Sequence, residues 1–229
     1  MNITIIANGD FPQRKSLLDT LAAADRVVCC DGAFEKYIRW EGKGRQPVAV
    51  VGDGDSLSPE VLKEAEAMGI DFVRVKVEEQ EYNDLTKSVK YAVKELRSSG
   101  AQRGARAVEG VQSDCITILG ATGLREDHTL GNISLLAYYM EQYPGIAFRM
   151  LTDYGTFLPV RGEAHIAAYK GQQVSLISLT PDVPVTVEGL KWSIDGRCLT
   201  QWWQGTLNEA TAETFMVRGG TLLVYLLEV

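Results

Sequence analysis

Two histidines are all that this 229-residue chain contains, His128 and His165, and they fall in different predicted elements, so chemistry built on paired histidines lacks its parts. The four cysteines, Cys29, Cys30, Cys115 and Cys198, contain no C-x-x-C spacing. They fall mostly inside apolar strand-like runs and read as reduced core residues. Positive charge is also short: 23 basic against 30 acidic residues give a net charge of −7, and the basic residues are dispersed except around Arg97, Arg103 and Arg106. That argues against a nucleic-acid footprint and suits a cationic substrate. No window approaches eighteen uninterrupted apolar residues, and the first ten residues lack a basic stretch followed by a long apolar one. The expectation is a cytoplasmic protein without a membrane partner. Internal repeats, low-complexity tracts, G-x-S-x-G, H-E-x-x-H and kinase signatures are absent. The segment Gly9 to Ser16 follows a strand at P-loop spacing, but Arg14 replaces the second glycine and Pro12 sits inside the loop. A backbone cradle for phosphate is therefore excluded there, and Lys15 reads as a solvated helix-start residue.

What is present is a rhythm. Up to about residue 157, apolar runs (Ile3 to Ala7, Val27 to Cys30, Val48 to Val51, Phe72 to Val77, Cys115 to Leu119, Ile146 to Leu151) alternate with helical patterns. This predicts an α/β domain with a parallel sheet covered by helices, in the Rossmann manner. Ser58-Pro59-Glu60 supplies an N-cap, a first-turn proline and an early acid, and Gly69 closes that helix. Further helices start near Asn83 and near Asp127, the second ending before Pro144-Gly145. After about residue 158 the apolar period shortens to two, as in Val174 to Leu176, Val183 to Val187 and Leu222 to Leu227. A small antiparallel β-sandwich over 158–229 is expected, following an α/β domain over 1–157.

The polar clusters of the first domain follow its predicted strands: Asn8-Gly9-Asp10, Asp31-Gly32, Asp53-Gly54-Asp55-Ser56, Glu81 to Asp84, and Gly120 to His128. Ligands of open parallel sheets bind at such strand ends. Asp53 and Asp55, two apart in extended chain, face one side about 6.6 Å from each other, so their carboxylates can converge on a small hard cation. Asp84 in the first turn of a helix would complete a magnesium shell, and Lys87, three residues on, would hold phosphate oxygens beside the helix N–H groups. Ordinary capping would also account for Asn83-Asp84. In the glycine-bearing loop before the next helix, Arg125 is the natural phosphate clamp, with Asp127 orienting it or a metal-bound water. His128 and Asn132 share a helical face there; a lone histidine is more often structural than catalytic.

Taken in order, Ala7-Asn8-Gly9, Cys30-Asp31-Gly32-Ala33, Gly52 to Ser56, Asn83 to Lys87 and Gly123 to His128 resemble the thiamine pyrophosphokinase family, and Glu188 to Trp192 with Gly205 to Glu209 resemble its C-terminal signature. The resemblance spans nearly the whole chain. It implies transfer of the terminal diphosphate of ATP to the hydroxyl of thiamine, giving thiamine diphosphate and AMP, by a homodimer with thiamine sites between subunits. It places Asp53, Asp55 and Asp84 as magnesium ligands, Lys87 and Arg125 on phosphate, and Asp31 and Asp127 as supporting carboxylates. Asn8, Ser56, Asn83 and His128 fall in the matching nucleotide-side motifs. Where the family usually has Ser-Asn near the thiamine ring this chain has Leu207-Asn208, which shifts hydrogen bonding to Asn208 or Thr206. Trp203 or Trp202 would offer a stacking face worth about 0.5–2 kcal/mol to a cationic ring; the plain alternative for both is sandwich core. The rival functions are a diphosphokinase for another small alcohol, such as a hydroxymethyl-pterin, and a non-catalytic nucleotide or vitamin sensor.

Overall fold

A computed structural model describes residues 1–42, 48–54, 57–74, 83–102 and 114–228. Asp55, Ser56, Glu81 and Tyr82 lie outside the described residues, as do Val75 to Val77 of the fourth predicted run and Arg103 and Arg106. The chain divides into two units, Met1–Asn132 with Tyr143–Ala147, and Ile133–Gln142 with Phe148–Val229.

In the first unit the β-branched runs form the strands β1 (Asn2–Ile6), β2 (Arg26–Cys30), β3 (Val48–Gly52), β4 (Asp71–Arg74) and β5 (Cys115–Leu119), paired all-parallel in the order β5-β1-β2-β3-β4. Ile3, Ile5, Val27, Val28, Val50, Ile116 and Ile118 are fully buried, as strands covered on both faces require. The connecting helices are α1 (Lys15–Ala22), α2 (Ala33–Arg39), α3 (Pro59–Ala67), α4 (Asp84–Gln102) and α5 (Glu126–Gln142), the last running on into the second unit. The α3 signals work as read: the Ser58 hydroxyl accepts from the Val61 amide at 3.3 Å, Pro59 opens the helix, and Gly69 takes φ 65° beyond its end. Asn83 caps α4 by accepting from the Thr86 amide at 2.9 Å. Lys15 is indeed a solvated helix-start residue, paired to Asp19 four residues on.

Strand pairing in the chain is mixed rather than parallel throughout. The run expected to be the sixth parallel strand forms β6 (Ala147–Thr152), which turns at Asp153-Tyr154 into an antiparallel hairpin with β7 (Gly155–Ala167). An apolar run states that a strand is buried and is silent on its direction.

The second unit is a β domain. β12 (Thr214–Leu227) is its hub, pairing antiparallel with β7 along its length on one edge. On the other edge it pairs first with β9 (Pro184–Glu188) through Met216–Arg218 and then with β8 (Gln173–Ser178) through Leu222–Leu226. The change of partner falls at a register shift around Gly219-Gly220, where a side chain at Gly220 would lie 1.9 Å from the Thr180 hydroxyl. β10 (Ile194–Cys198) and the two-residue β11 (Asn208–Glu209) complete it, with one 3-10 turn over Trp202–Gly205. Its core is Val174, Leu176, Val185, Val187, Phe215, Val217, Leu222 and Val224 with their neighbours.

All four cysteines are free thiols; Cys29 and Cys30 are buried, whereas Cys115 and Cys198 are only half-buried and so are not full core residues. Trp202 and Trp203 are 54% and 71% exposed, so neither belongs to the core. Among the described residues no helix is long and apolar enough to cross a membrane.

Candidate active site

Four of the five strand ends singled out in the sequence meet at one cavity of about 420 Å³ in the first unit. Asn8 and Gly9 follow β1, Asp31 follows β2, Asn83 and Asp84 open α4, and Ala121 to Arg125 follow β5, with His128 and Asn132 one and two turns into α5. Asp53, exposed beyond β3, is not among the lining residues, and its partners in sequence, Asp55 and Ser56, are outside the described residues.

The β1 and β5 loops are stitched backbone to backbone. Gly9 N–H donates to Gly120 C=O at 2.7 Å and Asp10 N–H to Thr122 C=O at 2.9 Å. A Cβ at Gly9 would lie 2.3 Å from the Thr122 carbonyl oxygen and 2.5 Å from that of Gly120, and one on Gly123, at φ 78°, would lie 2.0 Å from Asp10 Oδ2. Backbone cannot step aside as a flexible side chain can. Gly9→Ala is therefore expected to cost about 1–3 kcal/mol, whereas Gly131→Ala in α5, where the added methyl meets open space, should be neutral or slightly stabilising; paired thermal melts measure both.

Asp31 is 2% exposed and adopts φ 36°, a left-handed conformation uncommon outside glycine, though aspartate tolerates it better than most, and one that clusters at functional sites. Its amide donates to Val51 C=O at 3.0 Å, its carbonyl accepts from the Phe34 amide at 3.0 Å, and its side chain lies over Gly52, where a Cβ would come within 2.7 Å. The glycine before Asp53 thus makes room for Asp31. The neighbouring Cys30 wall is inert: its thiol donates to Ser88 Oγ at 3.1 Å, and burial pushes it up to about 12. A nucleophilic cysteine is excluded at that position.

Asp84 is half-exposed, with Lys87 Nζ 3.0 Å from its Oδ1; the lysine side chain is only 11% exposed. Asn83 Nδ2 reaches Asn132 Oδ1 at 3.4 Å while Asn132 Nδ2 donates to Ala121 C=O at 2.8 Å, a polar bridge from α4 across α5 to the β5 loop. Capping and site roles for Asn83 thus coexist on one side chain. Arg125 sits on an exposed turn after Leu124 (φ 59°) and forks onto Asp127, Nε to Oδ1 at 3.1 Å and Nη2 to Oδ2 at 2.6 Å. Those bonds hold the Asp127 carboxyl down at about 2 and raise the guanidinium further. A depressed carboxylate is charged above its ordinary range and loses its partner only as pH falls towards 2, so the pair stays ionised through neutral pH.

Asp31 and Asp84 present hard carboxylate oxygens, the donor type for magnesium and not for a soft metal. Among the described residues no group of three or more histidine, cysteine or acidic side chains is close enough to hold a metal on its own. The donor chemistry fits in kind, with Asp55 outside the described residues.

A second cavity of about 420 Å³ lies in the β domain, lined by Trp192, Arg197, Gln204, Thr206, Leu207 and Asn208 among others. Asn208 is buried and engaged: Nδ2 donates to Trp192 C=O at 2.7 Å, and Oδ1 accepts from the amides of Trp192 at 3.1 Å and Glu209 at 2.9 Å. Thr206 Oγ1 donates to Trp203 C=O at 2.8 Å. Leu207 takes φ 61° and points out, 75% exposed, and Trp203 is not among the lining residues.

A profile of the thiamin pyrophosphokinase catalytic domain matches residues 17–148, and one of the thiamin pyrophosphokinase substrate-binding domain matches residues 155–225. The chain belongs to the thiamin pyrophosphokinase family. Thiamine pyrophosphokinase 3 of Oryza sativa subsp. japonica is 29% identical over 161 residues, 68% of this chain and 55% of the relative. The chain thus spans about half the length of the curated relatives it matches. The fold is that of the thiamin pyrophosphokinase from Candida albicans, with a TM-score of 0.81 at 21% identity over 100% of this chain and 90% of that one. The Bacillus subtilis thiamine pyrophosphokinase gives 0.77 at 20% identity over 99% of both.

One contact in the first unit escaped sequence reasoning: Lys36 of α2 reaches the backbone oxygens of Asn8 and Gly9. A lysine on an amphipathic helix carries no motif that would have revealed it.

Proposed function

We propose that this chain is a thiamine diphosphokinase that transfers the β,γ-diphosphate of ATP to the hydroxyl of thiamine, releasing AMP. The observation that carries the reading is the cavity at the strand ends, where acidic, amide and guanidinium groups from four separate segments face one space, within a chain whose two domains match the family's catalytic and substrate-binding profiles. The second of those matches favours thiamine over a pterin acceptor.

Phosphoryl transfer asks a protein mainly for alignment and charge neutralisation. Asp53, Asp55 and Asp84 would hold magnesium, which when bound offsets the charge of the donor phosphates. Arg125, oriented by Asp127, and Lys87, held at Asp84, would take phosphate oxygens. Asn8, Ser56, Asn83 and His128 would contact the nucleotide, and a nearby carboxylate outside the metal shell would accept the hydroxyl proton. Holding alcohol and β-phosphorus in line can supply up to about 7–11 kcal/mol of barrier reduction. On the vitamin side, Thr206, the remaining N–H of Asn208 and the exposed face of Trp203 would receive thiamine, in a second domain read as a small β-sandwich. A homodimer working in the cytoplasm completes the proposal.

Protein, ATP, magnesium and thiamine are mixed and the nucleotide product identified. AMP that appears only with thiamine is expected; ADP, or AMP without thiamine, would refute diphosphate transfer.

A further inference from the structure

Lys36 lies on α2, directly after the strained Asp31, and belongs to none of the clusters that mark the strand ends. Its ammonium donates to Gly9 C=O at 2.7 Å and to Asn8 C=O at 3.2 Å. Lys36 is half-buried; burial lowers its pKa against the opposing pull of Asp10 and Glu35, and the two carbonyls supply partners for its ammonium. Those carbonyls belong to a loop with no slack. Gly9 and Asp10 are bonded through their amides to Gly120 and Thr122, and no side chain fits at Gly9. The β5 loop so engaged is the one that carries Arg125, and Asn8 itself faces the cavity.

Three loops from three strands are thereby joined in series: α2 with Asp31, the β1 loop with Asn8, and the β5 loop with Arg125. The two inter-loop amide bonds fix the β1 and β5 loops to one another, and Lys36 ties that pair to the helix that follows Asp31.

We propose that Lys36 is a positioning residue of the nucleotide cavity, holding the Asn8-Gly9 backbone at a set distance from Asp31 so that Asn8 and the Arg125 loop meet the donor together. This rests on the ATP reading above. It assigns a role in binding geometry: Lys36 acts through the loop and touches no reacting atom.

Lys36→Met keeps length and apolar stem while removing both donations; Lys36→Arg keeps the charge and the donors. In Lys36→Met the amides of Gly9 and Asp10 are expected to exchange with deuterium at least tenfold faster than in wild type, with the strand amides of β12 unchanged. The KM for ATP in excess magnesium should rise about tenfold while kcat falls less than threefold, and Lys36→Arg should restore both KM and exchange to within threefold. Unchanged exchange and KM in Lys36→Met overturn the inference, and so does faster exchange throughout the first unit with apparent kcat lowered at unchanged KM, since that is a stability effect. A wild-type protein that binds no ATP and forms no AMP defeats the ATP reading itself, and the inference with it; wild-type turnover with an indifferent Lys36→Met defeats the inference alone.

Discussion

Asp84→Asn is expected to lower AMP formation by on the order of a thousandfold or more, which at about 1.4 kcal/mol per factor of ten is a loss of about 4 kcal/mol, the scale of transition-state charge stabilisation by a bound divalent ion. The fold should barely notice. Asn83, not Asp84, caps α4, and the Lys87–Asp84 pair is a same-helix, i to i+3 contact with a half-exposed acid. Such pairs contribute about 0.3–0.5 kcal/mol against a domain stability of about 5–15 kcal/mol, and an asparagine oxygen can still accept from Lys87. Turnover and melting temperature measured side by side on one preparation make the comparison. Wild-type turnover in Asp84→Asn would remove this residue from the metal shell. A joint loss of turnover and stability would make it a structural anchor.

Arg125→Ala is expected to cut kcat/KM by roughly a hundredfold or more, the range for removing a donor or arginine that meets charge developing in the transition state. Arg125→Lys should recover little of it, because a lysine cannot reproduce the two-pronged contact a guanidinium makes with phosphate. Asp127 engages Arg125 through Nε and Nη2 and so sets the orientation of the guanidinium. Both side chains are about two-thirds exposed, so neither variant should shift the melting temperature. The plain alternative is a solvated surface ion pair. It predicts full activity in Arg125→Ala, and steady-state kinetics with ATP varied at saturating thiamine decide between the two.

Much of the first unit was legible because local chemistry and tertiary demand agree there. Ser58, Pro59 and Gly69 bound α3 by capping rules that need no knowledge of the rest of the chain, and Asn83 does the same for α4. The strand-end rule groups Asn8, Asp31, Asp84, Arg125 and His128 on one edge, where they line one cavity, since a parallel sheet sends its connections alternately to two rims. What stayed hidden depended on long-range geometry. Direction is not written in an apolar run, so the sequence did not show that β6 turns into an antiparallel hairpin with β7 and that strand pairing is therefore mixed. Trp202 and Trp203 look like core by composition, yet a 3-10 turn carries both and leaves them exposed. Asn208 reads as a ligand contact, and most of its hydrogen-bonding capacity goes to the backbone of Trp192 and Glu209, sixteen residues back and one ahead. Gly9 and Gly123 look like ordinary turn glycines; only the approach of the two loops shows that backbone and carboxylate fill the space of their missing side chains.

The cavity bounded by Asn8, Asp31, Asp84 and Arg125 is proposed to receive the phosphates of ATP. A crystal structure with magnesium and a non-hydrolysable ATP analogue tests it most directly. Phosphate density is expected in that cavity, with Arg125 within hydrogen-bonding distance of it and a metal ion held at Asp84. Analogue density elsewhere on the chain, with the cavity holding solvent alone, would contradict it.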